Sequence, residues 1–130
     1  MGRLEKLRNE FKKALLRLKE AVERAEREKN FSDYPFFRDS AIQRFEFTFE
    51  IAWKFVKALI EREGIICRSP RTCFRELFSA GLIDEETVRE LLKMVEDRNL
   101  TVHTYREEVA EEIFNRLPGY LKALEKLIEL

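Results

Sequence analysis

The residues best equipped for chemistry lie together in "EDRNLTVHTYREE", residues 96 to 108. Within eight positions this stretch holds Arg98, Asn99, His103 (the only histidine of the chain) and Tyr105. A guanidinium can clasp a phosphate through paired hydrogen bonds and stabilise charge as it builds there. An imidazole changes protonation near neutral pH and can move a proton. Together they could cleave RNA without a metal. The imidazole would assist attack of a ribose 2′-hydroxyl on the adjacent phosphate, while the guanidinium stabilises the crowded phosphorus. A single histidine serves poorly as both acid and base, and a symmetric dimer would bring two into one cleft. By spacing alone the same residues also fit a structural histidine, so both readings stand at this point.

The chemistry requires a break in the backbone. On one unbroken helix Arg98 and His103 stand about 140° apart around the axis and cannot converge. Thr101 and Val102 are β-branched, and "TYRE" has the form of a capping box, with Thr104 as cap and Glu107 three residues on. The pattern predicts a helix that ends near Leu100 and restarts near Tyr105. The turn would bring Arg98, Asn99 and His103 to one end of the molecule. Arg98 prolongs the apolar line of Val88, Leu91 and Val95. It is therefore expected to point inward or across an interface, where it needs an internal carboxylate or a ligand phosphate.

Composition bounds the fold around this joint. The chain has 130 residues, which suits one domain spanning 1–130. Hydrophobic residues make up 45% and charged residues 38%, with only four glycines and three prolines. That mixture favours long helices and an all-α fold. Formal net charge is zero, which argues against indiscriminate coating of a nucleic-acid backbone but leaves room for a local basic cleft. The N-terminus is charged throughout, unlike a signal peptide. No apolar run approaches the roughly 20 residues that span a bilayer. Cys67 and Cys73 read as reduced thiols of a cytoplasmic protein. Two cysteines and one histidine do not fill a structural zinc site, so neither metal nor cofactor is expected.

Apolar periodicity lays out the helices. Leu4, Leu7, Phe11, Ala14, Leu15, Leu18, Val22 and Ala25 form one stripe on a helix over about 3–28. A second helix spans about 36–63, with Gly64 as its C-terminal cap. Its broad stripe is Ile42, Phe45, Phe49, Ala52, Trp53, Val56, Leu59 and Ile60, and Phe47, Ile51, Phe55 and Ala58 form another nearly opposite. Gln43, Glu46, Glu50, Lys54 and Lys57 make the only clear polar face. A helix apolar on two sides is predicted to pack internally on one and meet a second subunit on the other, or else to be a central helix inside a single chain. Arg44, inside the apolar arc, is expected to pair with a carboxylate such as Glu50 or Glu96. Ser69 and Pro70 start a short helix that Gly81 stops, and Asp84 opens the next. The last helix contains Pro118 and Gly119, which predict a kink or a division in two.

"RNLTVH" has the form R-x4-H with a polar residue after the arginine, and Thr104–Tyr105 extends it to R-x4-H-x-Y. This resembles the signature of HEPN domains and, more narrowly, of HepT-like toxins. "RDSAIQRFEFTFEIAWKFVKALIEREG" and "SPRTCFRELFSAGLI" look like the HEPN subfamily of nucleotidyltransferase substrate-binding proteins. The resemblance implies an up-and-down bundle of about five helices forming a homodimer. It also implies a cytoplasmic partner, a minimal nucleotidyltransferase encoded next door. By match, Arg98 and His103, with Asn99 adjoining, would form a metal-independent RNase site at the dimer cleft of a toxin–antitoxin pair. The nucleotidyltransferase would silence it by adding AMP to Tyr105. The other implied reading is a non-catalytic subunit that presents a nucleotide or other substrate to that partner.

Overall fold

Helical periodicity does decide the architecture. In the computed structural model, which describes residues 2–130, the order is α1 (Arg3–Arg27), α2 (Tyr34–Glu61), α3 (Pro70–Ser79), α4 (Glu85–Leu100), a 3-10 turn (Thr101–His103) and α5 (Glu107–Ile128). The result is the expected all-α bundle of five helices, with no strand among the described residues. No helix among them is long and apolar enough to cross a membrane.

The stripe on α1 buries Phe11, Leu15, Leu18, Val22 and Ala25, mostly against α2, its principal neighbour. α2 is the common wall of the bundle. Phe55 meets Phe11 of α1 at 5.6 Å between ring centroids. Phe49 meets Phe74 of α3 edge-on at 6.2 Å. Phe45 stacks on Tyr120 of α5 at 5.7 Å. The second apolar face of α2 is covered within the chain at two of its four residues: Phe55 and Ala58 are buried. Phe47 stays 49% exposed, and Ile51 is half-buried. Arg44 has neither proposed carboxylate as partner and lies over the Phe47 ring at 5.8 Å, because Glu50 is drawn to the other side of α2.

Capping follows local chemistry at three of the predicted points. Ser69 Oγ accepts from the Thr72 amide, and Asp84 Oδ1 accepts from the Thr87 amide. Gly81 takes φ +76° after α3, a left-handed conformation that other residues adopt only with strain. The capping box at Thr104 does not form. Its Glu107 is taken by Arg38, a guanidinium 3% exposed that needs carboxylates around it. Arg38 donates to Glu107 at 2.8 Å, Asp39 at 3.1 Å and Glu111 at 3.4 Å, and the Tyr34 hydroxyl also donates to Glu111. The hydrogen bond from Arg38 holds the Glu107 carboxyl below the usual range. α5 runs through Pro118 and Gly119 as one helix rather than two. Leu117, Tyr120, Ala123, Leu124 and Leu127 are buried on either side, and their packing outweighs the single hydrogen bond that proline forfeits.

Two further links were not legible as such. Asp97, 4% exposed, accepts from Arg116 Nε at 2.6 Å and Nη2 at 2.8 Å, and also from the Tyr120 hydroxyl. Burial, then the bond to Asp97, pushes the Tyr120 phenol well above its ordinary range. Cys67 and Cys73 are joined in a disulfide, which corrects the expectation of reduced thiols. The chain turns at Ser69 into α3, so Cys73 comes back beside Cys67 with a Cα–Cα distance of 5.1 Å. That separation lies within the span a disulfide needs.

Two outcomes follow for stability. Asp97→Ala strands the buried Tyr120 hydroxyl and should cost about 3 kcal/mol, whereas Tyr120→Phe, which removes one hydrogen bond, should cost about 1 kcal/mol; urea denaturation measures both. Reducing the disulfide releases a short loop and should remove about 2 kcal/mol. The melting temperature should fall with dithiothreitol in the native chain and stay constant in a Cys67→Ala/Cys73→Ala double variant.

Candidate functional site

The last turn of α4 carries Arg98 toward the polar face of α2. Its Nη1 lies 3.6 Å from Glu46 Oε2 and its Nε 3.6 Å from Glu50 Oε1. The internal carboxylate required by an inward arginine is thus present twice, from residues one turn apart on α2. Both contacts are electrostatic rather than hydrogen-bonded. Arg98 Nε is buried without a hydrogen-bond acceptor, although the side chain as a whole is 30% exposed. Nη1 donates to Thr101 Oγ1 at 3.3 Å. Glu50 is itself oriented by the Trp53 indole, which donates to Oε2 at 3.2 Å.

Arg98 and Asn99 face a cleft of about 440 Å³ whose other walls include Glu50, Ser69, Pro70 and Arg71. The cleft lies where α2, α3 and α4 meet. Arg71 is half-buried there and has no ion pair or hydrogen bond from its side chain among the described residues.

The joint after α4 differs from the expected break. Leu100, Thr101 and Thr104 all keep right-handed helical angles, with φ/ψ of −76/−14°, −62/−20° and −72/−2°. The chain tightens into a 3-10 turn and is extended at Arg106, the residue that caps α5, with φ −90° and ψ 121°. Threonine hydroxyls tie the turn: Thr101 Oγ1 donates to the Arg98 carbonyl at 2.7 Å, and Thr104 Oγ1 to the Thr101 carbonyl at 2.9 Å. Continued winding keeps His103 roughly half a turn around the axis from Arg98.

The predicted site residues therefore fall into two pairs. Arg98 and Asn99 share the cleft. His103 and Tyr105 share the exposed turn, with ring centroids 6.0 Å apart and an edge-on approach. Tyr105 is 78% exposed. No hydrogen bond or ion pair links Arg98 to His103 within the chain, and neither the His103 ring nor the Tyr105 hydroxyl has a hydrogen-bond partner among the described residues. Sequence reasoning missed Glu46, Glu50 and Arg71. The i, i+4 spacing of the two glutamates on one polar face was visible, but nothing local said that this face meets α4. No group of three or more His, Cys, Asp or Glu among the described residues could hold a metal ion.

Known proteins place this geometry in context. A family model described as nucleotidyltransferase substrate binding protein like matches residues 6–130. A structure from Thermus thermophilus is 44% identical, covers 92% of this chain and 96% of its own, and superposes with a TM-score of 0.81. A Haemophilus influenzae protein, described as having the fold of a substrate binding domain of a nucleotidyltransferase, is 24% identical over 94% of this chain and 96% of its own, with a TM-score of 0.81. A tri-AMPylated Shewanella oneidensis HEPN toxin in complex with its MNT antitoxin is 21% identical over 99% and 96% of the two chains, with a TM-score of 0.72. No curated protein matches the sequence. Given a family model over nearly its whole length and a relative 44% identical to it, the chain, which shares the fold of the HEPN toxin, belongs to the nucleotidyltransferase substrate-binding-protein-like family.

Proposed function

We propose that the chain is a HepT-like toxin, a metal-independent RNase whose cleft forms between two copies and whose activity a partner nucleotidyltransferase silences by AMPylation. The observation that carries this reading is the intact motif with His103 and Tyr105 side by side on an exposed turn. His103 takes the proton of the ribose 2′-hydroxyl. The 2′-oxygen attacks the adjacent phosphorus, and the 5′-oxygen of the next nucleotide leaves and takes up a proton. The products are a 2′,3′-cyclic phosphate and a 5′-hydroxyl. Arg98, held by Glu46 and Glu50, stabilises the charge on the phosphoryl oxygens, and Asn99 orients the same phosphate. Arg98 and His103 diverge within one chain, so a homodimer completes the site by setting the imidazole of one copy toward the cleft of the other.

Silencing follows from where Tyr105 stands. Its exposed hydroxyl can attack the α-phosphorus of ATP held by the nucleotidyltransferase, forming a phosphodiester and releasing pyrophosphate. The attached AMP puts an anion and a purine two residues from His103. It competes with RNA for Arg98 and covers the turn. This reading puts the protein in the cytoplasm beside its RNA substrate.

One observation favours a second reading, a non-catalytic subunit that presents substrate to the nucleotidyltransferase. Two carboxylates lie 3.6 Å from Arg98 and offset its charge toward an incoming phosphate.

The two readings diverge without the partner. Purified protein in EDTA should cleave RNA to cyclic-phosphate ends, and both His103→Ala and Arg98→Ala should lower the rate by at least about 100-fold. Absence of cleavage by the native dimer, with nucleotide binding that needs Arg98, would establish the second reading instead. Loss of activity in Arg98→Ala should not reflect unfolding, because partly exposed ion pairs contribute at most about 1 kcal/mol; urea titration checks this. Incubation with the partner and ATP should add AMP masses to the native chain and none at this position to Tyr105→Phe.

A further inference from the structure

The motif leaves one part of the cleft unexplained. Arg98 is flanked by Glu46 and Glu50, so these three side chains together present more negative than positive charge. An anionic strand would not enter on that balance. Arg71 changes it. It lines the same cleft from the first turn of α3, it is half-buried, and it has no carboxylate partner among the described residues. Its neighbours add to the effect. From Gly64 to Arg75 the chain carries Arg68, Arg71 and Arg75 and no acidic residue, in a protein whose net charge is zero. Arg68 and Arg75 are exposed and likewise unpaired among the described residues. The Cys67–Cys73 disulfide closes the segment that holds Arg68 and Arg71, so the backbone that carries the charge is restrained. On the opposite wall the buried Arg98 Nε lacks an acceptor.

Resting on the reading that a polynucleotide is the ligand of this cleft, we propose that Arg71 is a second phosphate-binding residue. It would hold the backbone phosphate next to the one at Arg98, with Arg68 and Arg75 extending the basic track along the outer face of the α3 segment. A partly buried guanidinium without a competing carboxylate binds phosphate bidentately. Arg71 is a positioning residue for the strand and takes no part in the proton transfers at His103.

The test uses the full-length native protein and a 20-nucleotide 2′-O-methyl RNA, which cannot be cleaved because it lacks the attacking hydroxyl. Fluorescence anisotropy gives the affinity across a range of salt concentrations. Arg71→Ala should weaken binding about fivefold to tenfold at 0.1 M salt and reduce the salt slope by about 0.7, the value for one phosphate contact to a single strand. Arg71→Lys should restore the slope. Arg89→Ala, which removes an exposed arginine paired with Glu85, should bind as the native chain does. On cleavable RNA, Arg71→Ala should raise KM with little change in kcat. Native affinity and slope in Arg71→Ala would overturn the proposal even if the RNase reading holds, and so would absence of binding by the native protein. A slope lowered by Arg71→Ala in a protein that cleaves nothing would support the phosphate role while removing the RNase reading.

Discussion

Asp97 sets the rotation of α4, and the site depends on that rotation. Its carboxylate receives both forks of Arg116 and the Tyr120 hydroxyl from α5. Neighbouring residues on a helix point about 100° apart. Locking Asp97 toward α5 therefore turns Arg98 toward α2, where Glu46 and Glu50 wait. A buried carboxylate with three donors tolerates no other register, because any slip would leave a charge unpaired in the core. The position of the motif arginine is thus a consequence of the bond made by the residue before it.

α2 supplies the surface against which this happens. Phe45, Phe49 and Phe55 place α5, α3 and α1 around it. Its polar face, left free by that packing, is the one that α4 approaches with Arg98. A wall this heavily used cannot shift to suit a ligand, so recognition in the cleft rests on side chains that line it rather than on movement of helices. The turn carrying His103 and Tyr105 has the opposite character. It is held by short-range threonine bonds and is open to whatever approaches from outside.

Helix number and order, the caps at Ser69 and Asp84 and the inward turn of Arg98 were legible because each rests on local periodicity or on one residue's chemistry. The capping box at Thr104 was legible too, and misleading, because a buried Arg38 from another helix outcompeted the local bond for Glu107. The second apolar face of α2 was legible as a stripe, but not what covers it: Phe55 and Ala58 are buried by the chain's own helices while Phe47 stays open, and periodicity cannot say which helix will cover a stripe. The thiol state of Cys67 and Cys73 depended on a chain reversal that brings them within bonding distance. Arg71 stands in an acid-free run with Arg68 and Arg75 that the sequence displays, but its place in the cleft was not legible, since an unpaired arginine is recognisable only once its neighbours in space are known.

The covalent link between Cys67 and Cys73 also bears on how such a protein can diversify. Three residues of the cleft wall, Ser69, Pro70 and Arg71, sit inside a ring of chain closed by sulfur. The path of that ring is fixed by a bond and by the cap of α3, in which the Ser69 and Thr72 hydroxyls are hydrogen-bonded, with little demand on the exposed side chain at 68. A substitution at 68 can leave the backbone beneath it in place, which lets ligand preference drift without a new fold having to be found.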